Sequence, residues 1–512
     1  MPRSWPPPLF AVFALLFLAW GIERWSIAGA HVDPVGRIRA QDEAVYSHIA
    51  ITMAEQGNWL TPHFLDRFAL FKPPLAYWLA ALSLKLGGVS LTTLRAPSLL
   101  AGALGAVLVF LWLRSPAKAA AAGVLVLTNT LWYTLSRLAL VDALLATLFL
   151  AAAYTLALDE DMQKRRTPWL FGLCSGLALM TKGIAGLLPL VALGFYWLVR
   201  RPRFGAVVTS GVVALAVAAP WHLYQWLTNT RWFLAEYVGV ELLRYAVGAP
   251  PQTSQDSTAA FYFGRFFTLD PVLALLGLAG LALAIRKRQD LAAVSLALVL
   301  VAAVFAYQYR NIAYWLPLVP LCAVLAARHL PALVVIAAAF VKLALAVPLL
   351  QQSWSTPPAP VLRNYCEKAR GNDLFLVALD DDFMATTLPL ARPRYVFIAP
   401  PPDHGAAAFD FHKLGVTQTV DEWLTGWQPP EDLRHWGLKN RDALGTVVLA
   451  RDLAEVQRLV AASPKADFVL TEAQLNGATT HEVVRAGQGR VLLLAREKQP
   501  WPKERPRWSC HL

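Results

Sequence analysis

Apolar runs follow one another through the first two thirds of this chain, and they leave little choice of architecture. They fall at 8–28, 74–88, 96–113, 118–135, 138–158, 168–181, 184–199, 204–224, 261–284, 291–307, 312–327 and 331–350. Most approach the roughly 17–25 residues with which an α-helix crosses a bilayer. Apolar residues make up 56% of the chain and mean hydropathy is +0.44, whereas a soluble domain holds about 45–50%. A polytopic α-helical membrane protein is expected. The first run follows Arg3 and ends near Ala28-Gly29-Ala30 like a secretory leader. Because Gly21-Ile22-Glu23-Arg24-Trp25 and many further spans come after it, it is read as an uncleaved first helix.

Loop charge sets the expected orientation. Lys164-Arg165-Arg166, Arg200-Arg201-Pro202-Arg203 and Arg286-Lys287-Arg288 are dense basic clusters, which the positive-inside rule places in the cytoplasm. The segment 168–199 between the first two must go out and return, so Thr181-Lys182-Gly183 falls at the outer face. Pro220-Trp221-His222, the loop 225–260 and Tyr307-Gln308-Tyr309-Arg310-Asn311 fall there too. The list of spans is even, yet an inside N-terminus and an outside C-terminus need an odd number of crossings. The surplus is expected between 96 and 158, where Pro116, Asn129 and Arg137 interrupt the apolar pattern and re-entrant backbone would border a cavity.

Beyond 350 the pattern changes. A linker at 351–359 leads to short β-like runs at 373–379, 395–398, 446–449 and 491–494, with a helix at 452–462. This predicts a small α/β domain over 360–512, outside the cytoplasm by the same count. Cys366 and Cys510 lie near its two ends, where a disulfide is permitted and two free thiols are equally compatible. The net charge of +12 does not point to nucleic acid. Its positive residues sit at span ends and in short loops, where orientation and anionic headgroups account for them.

The chemistry concentrates in the first outer loop, 29–72. Apolar positions 45, 49, 50 and 53 recur at helical spacing, which predicts an amphipathic helix lying in the interface. Asp42 stands where that helix begins, so it is either an N-cap or a functional carboxylate. Lys72, Asp142 and Lys182 are further outer-face charges set against apolar spans, where ionisable groups are costly and usually functional.

Gln41-Asp42-Glu43 with Tyr46, then Trp59-Leu60-Thr61-Pro62-His63-Phe64, Phe71-Lys72-Pro73-Pro74-Leu75-Ala76-Tyr77-Trp78 and Leu94-Arg95-Ala96-Pro97-Ser98 together resemble the opening of the dolichyl-phosphate-mannose protein mannosyltransferase superfamily. Within it the chain is most similar to the bacterial branch that holds the lipid A aminoarabinose transferases. Arg137 with Asp142, Thr181-Lys182-Gly183, Pro220-Trp221-His222, Glu241 with Arg244 and Tyr245, and Tyr314-Trp315-Leu316-Pro317 follow in matching order, so the likeness covers about the first 330 residues. It implies the type C glycosyltransferase fold and a multi-pass protein of the bacterial inner membrane, with site and C-terminal domain on the periplasmic side. It further implies a polyprenyl-phosphate-sugar donor, a lipid A or other envelope glycan or lipid acceptor, and a catalytic aspartate in the first outer loop.

That resemblance makes Asp42 and Lys72 the catalytic candidates and Glu43, Tyr46, Arg137, Asp142, Lys182, Arg244 and Tyr314 the substrate-binding ones. Asp42 would take the acceptor's proton, or orient an acceptor that is already anionic. Lys72, Lys182 and Arg244 would stabilise the leaving phosphate, and Arg137 and Asp142 would hold the loop in place. Aminoarabinose transferases resemble one another in a glutamate before the lysine of Lys-Pro-Pro and a histidine in the later outer loop, which help to hold a divalent metal. Here the first position is Phe71 and 225–260 contains no histidine. The expectation is therefore no metal ligands and no cofactor. A transporter or flippase, or a non-catalytic envelope scaffold, are the other classes. Internal repeats and charges buried mid-span would mark a transporter, and the sequence shows neither.

Overall fold

The computed structural model describes residues 7–22, 40–64, 67–244, 259–306 and 311–351, and beyond them 374–376, 417–426, 447–449, 453–472, 475, 481–487 and 490–497. The chain opens with α1 (Pro7–Ala19) and α2 (Ala40–Gln56), a short hairpin of β1 (His63–Phe64) and β2 (Arg67–Phe68), then α3 (Leu75–Gly87) and α4 (Leu91–Trp112). α5 (Pro116–Leu127), α6 (Thr130–Ser136), α7 (Asp142–Ala157), α8 (Arg166–Lys182), α9 (Leu188–Arg200) and α10 (Phe204–Thr228) follow. After α11 (Thr230–Phe233) the segment α12 (Leu234–Arg244) winds as a π-helix. The bundle ends with α13 (Ala259–Leu269), α14 (Pro271–Lys287), α15 (Leu291–Ala306), α16 (Leu318–His329), α17 (Ala332–Leu345) and α18 (Val347–Gln351). Large apolar side chains such as Leu16, Phe195, Leu215 and Phe340 stand exposed on its outside. An apolar exterior of this extent suits lipid rather than water.

The segment 168–199 goes out and returns as expected. Thr167 at the start of α8 bonds Asp159, while Arg200 at the end of α9 pairs with Glu160 at 3.2 Å. Between them the chain turns through a 3-10 segment, Gly183–Leu187, where Gly186 packs on the backbone of Ala178 and Leu179.

The surplus span is not where the sequence placed it. α3, the expected span 74–88, stays at one level, that of the loop before it. Trp78 near its start donates to the Trp59 carbonyl, and Lys85 near its end lies 5.4 Å from the Trp59 ring. A capping box of Ser90 and Thr93 then starts α4, and within its first turns Arg95 reaches the Ile22 carbonyl just beyond α1. A crossing by α3 would have carried Arg95 to the opposite face. Removing that span makes the count odd. Between 96 and 158 the chain is interrupted as expected: α5 and α6 are bent by 69° against each other at Asn129 and together are long and apolar enough for one span.

A second bend, of 115°, separates α13 from α14. The two corners meet. Asn129 caps α6 through its Oδ1 and donates from Nδ2 to Asp270 Oδ2 at 2.8 Å, while Asp270 Oδ1 caps α14. Lys342 of α17 completes the group at 3.0 Å from the same carboxylate. All three are buried, so each polar group depends on the others.

α2 departs from the expected interfacial helix. Besides Ile49, Ala50 and Met53, the polar Ser47, His48 and Thr52 are buried, because α3 and β1 enclose it. It is a core helix packed under its neighbours rather than a float on the headgroups. The small sheet beyond 350 is present: β3 (Leu374–Leu376) pairs in parallel with β6 (Asp467–Thr471), which continues antiparallel to β8 (Arg490–Leu494) and then β7 (Glu482–Gly487). β4 (Thr417–Thr419) and β5 (Val447–Leu449) pair in parallel apart from it, and the expected helix runs Leu453–Ala462. The predicted strand at 395–398, Cys366 and Cys510 lie outside the described residues.

Candidate active site

α2 begins at Ala40, so Asp42 lies inside its first turn rather than at the cap. There the helix N-terminus favours its negative charge. Asp42 is partly exposed, whereas its neighbour Glu43 is 1% exposed. Arg95 grips Glu43 with both prongs, Nε at 2.7 Å and Nη2 at 2.9 Å. Glu43 also accepts from the Ala139 N–H at 2.9 Å, and Arg95 Nη1 donates to the Ile22 carbonyl. One buried ion pair thus ties together the end of α1, the first turn of α2, the top of α4 and the link into α7. Losing either partner would strand a buried charge at a cost of about 3–5 kcal/mol. The turn that carries Asp42 is therefore fixed.

Asp42 and Tyr46 are four residues apart and share a helix face. The Tyr46 ring stacks on Phe71, centroids 6.4 Å apart, and Lys72 is the next residue. The contact brings the two ends of the outer loop together, aspartate face to lysine segment.

Asp142, in the first turn of α7, holds Lys182 at 2.5 Å, and Lys182 Nζ lies 4.9 Å from the centre of the Tyr314 ring. These three expected site residues meet. Arg137 does not join them, nor does it pair with Asp142. It turns to the Leu18 and Trp20 carbonyls and to the Tyr133 hydroxyl, pinning α6 to the end of α1.

The third wall comes from α10 and α12. Trp221 Nε1 and Gln225 Nε2 both donate to the Leu60 carbonyl at 2.7 Å. Glu236, 9% exposed, accepts from the Leu70 N–H at 2.7 Å. His222 Nδ1 faces the Ala218 carbonyl and so must carry the proton, which leaves Nε2 to accept from the Tyr237 hydroxyl at 2.9 Å. Gly183 has φ +55°, and a Cβ there would lie 2.7 Å from that hydroxyl. Glycine next to Lys182 thus serves both the turn and the close approach. Arg244 ends α12, and its side chain lies outside the described residues. In the hairpin, burial pushes the His63 pKa down to about 4, a neutral ring set edge-on to Phe68.

Arg95, quoted only within a motif, and Glu236 are among the residues of this geometry that were not singled out as site residues from the sequence. Arg95 carried a signal, a lone charge inside an apolar span. Glu236 carried none, since its partner is a backbone amide 166 positions away.

The donor set does not fit a divalent metal. Phe71 offers no ligand atom, both nitrogens of His222 are engaged, and among the described residues no three His, Cys, Asp or Glu side chains gather as a metal-binding group.

Comparison with known proteins bears on the fold and the family likeness. The profile of the family "Dolichyl-phosphate-mannose-protein mannosyltransferase" matches residues 71–224. The undecaprenyl phosphate-alpha-4-amino-4-deoxy-L-arabinose arabinosyl transferase of Enterobacter sp. (strain 638) is 29% identical over 217 residues, 38% of this chain and 39% of that protein. Its counterpart in Erwinia tasmaniensis is 33% identical over 195 residues, 35% of each chain. The matched part thus spans less than two fifths of the length of either relative. The crystal structure of ArnT from Cupriavidus metallidurans bound to undecaprenyl phosphate superposes with a TM-score of 0.69 over 95% of this chain and 97% of that one, at 17% identity. The apo structure gives 0.66. The fold is therefore that of a multi-pass type C glycosyltransferase with a small C-terminal sheet, and the resemblance read from the ordered motifs stands.

Proposed function

We propose, proceeding from that fold, that this chain is an integral membrane glycosyltransferase. It moves a sugar from a polyprenyl-phosphate donor to lipid A or another envelope lipid or glycan, on the periplasmic side of a bacterial inner membrane. Residues 1–350 form the transferase and 360–512 an extracytoplasmic α/β domain, joined by 351–359. The observation that carries this reading is the Tyr46–Phe71 stack, which brings the helix face of a fixed aspartate to the segment that bears a lysine.

The chemistry follows from the charges. As the bond from the sugar to phosphate breaks, negative charge gathers on the phosphate and the sugar turns oxocarbenium-like. Cations in a water-poor site stabilise that charge most. Lys72, Lys182 and Arg244 supply that charge, while Asp142 and Tyr314, which meet Lys182, form a wall of the donor site. Asp42 accepts the proton of the acceptor hydroxyl, held in place through Glu43 and Arg95. The arabinosyl transferases use a pentose derivative by name. With Phe71 in this chain, the sugar is left as a pentose or hexose.

The test is transfer of sugar from a synthetic polyprenyl-phosphate donor by the purified protein in liposomes, with products read by mass spectrometry of lipid A and surface glycans from parent and deletion strains. A labelled lipid or glycan lost on deletion is expected. Identical glycomes together with no transfer in vitro would sink the reading. Orientation has its own check. A periplasm-dependent reporter fused after residue 350 is expected to be active, and activity of a cytoplasmic reporter there would invert the site.

A further inference from the structure

We infer that Glu236 is a positioning residue that sets Lys72 against the donor phosphate, an inference that rests on the transferase reading above. Residues 236 and 237 of α12 fork. Glu236 takes the Leu70 N–H at 2.7 Å, two residues before Lys72. The Tyr237 hydroxyl, fixed by His222, sits against Gly183, the neighbour of Lys182. The same helix ends at Arg244. One short stretch therefore touches the backbone beside two lysines of the site, so its placement bears on how those two segments stand to each other.

The local chemistry supports a latch rather than a chance contact. Leu70 is fully buried and Glu236 nearly so, and a carboxylate at that depth is tolerated only when hydrogen-bonded. The hairpin side is held at another point, where the Leu60 carbonyl receives both Trp221 and Gln225. Removing Glu236 would thus loosen the Lys72 segment without releasing the loop. α12 is π-wound over its whole length, a geometry poorer in helical stability and frequent at functional sites, so its register needs such side-chain ties. With no metal ligand at position 71, this hydrogen bond ties the Lys72 segment to α12 beside the apolar packing of Leu70 and Leu75 with Tyr237.

Three variants decide the matter: Glu236→Ala, Glu236→Gln and Glu236→Asp. Gln keeps an oxygen acceptor at the same reach without charge, whereas Asp keeps the charge one methylene short. Two readouts are taken on the full-length protein in detergent: hydrogen–deuterium exchange of the peptide containing Leu70, and binding of undecaprenyl phosphate followed by tryptophan fluorescence. Ala and Asp are expected to expose the Leu70 amide to exchange and to weaken binding by roughly 10–100-fold, the worth of one hydrogen bond to a charged group. Gln is expected to retain protection and to bind within about threefold of the parent. Steady-state transfer should show the loss in KM for the donor. The inference is overturned if Asp behaves as the parent while Gln fails, which would make charge rather than the bond decisive. It is equally overturned if all three variants weaken alike, or if exchange at Leu70 rises while binding does not change. If Ala fails to accumulate, the Gln and Asp pair still separates these outcomes. A parent protein that binds no undecaprenyl phosphate would count against the transferase reading, while the exchange data would still report on the latch.

Discussion

Asp42→Asn is expected to lower glycosyl transfer by roughly 10²–10⁴-fold, the usual worth of a general base, in a protein that inserts and accumulates normally. The substitution is nearly isosteric and leaves Glu43, Arg95 and the Ala139 amide as they are. At the start of α2 it removes the attraction of one carboxylate for the helix end, about 0.3–1 kcal/mol, which is small beside the loss of rate. Rate and stability therefore separate. The measurement is single-turnover transfer by purified parent and variant at matched concentration, with thermal melting in the same detergent. Turnover close to the parent's would reduce Asp42 to a helix-terminal charge and remove the base from the mechanism.

The second large effect is expected at Lys72. Lys72→Ala should cost about 10²–10³-fold in kcat/KM, as for loss of a group aimed at developing charge. Lys72→Arg should recover only part of it, because the planar guanidinium keeps the charge but not the compact ammonium. Chelation supplies the complement. Since Phe71 stacks on Tyr46 and offers no ligand atom, and His222 has both nitrogens engaged, activity should survive EDTA. A complete loss on chelation, reversed by adding a divalent cation, would reveal a metal site that the described side chains do not form.

Spans and site were legible to different depths for physical reasons. Apolar length is a local property, so the helices could be counted from it. Whether a given helix crosses depends on what its ends touch, and α3 misled because a mostly apolar stretch of thirteen residues beside a hairpin reads like a short span. Only the contacts of Trp78 and Lys85 with Trp59 show it lying at one level. The same holds for charges. Asp42, Lys72, Asp142 and Lys182 stood out as ionisable groups against apolar sequence. Their pairing, Asp142 with Lys182 rather than with Arg137 five residues earlier, is set by how α7 packs on α8. Residues whose partners are backbone atoms stay silent: Glu236 looks like any acidic residue in a loop until Leu70 is seen beside it.

The corner shared by Asn129, Asp270 and Lys342 bears on how the chain is made. A polypeptide enters the membrane in order of synthesis, and the bend at Asn129 is laid down 141 residues before the carboxylate that completes it. Lys342 comes later still, on the last long helix. Until then, the amide of Asn129 must find other partners, since lipid offers it none. The bundle cannot lock from its first helix onward. Its final architecture is sealed from the C-terminal end, and a nascent chain cut short before α17 would hold its early helices while lacking the cation that closes them.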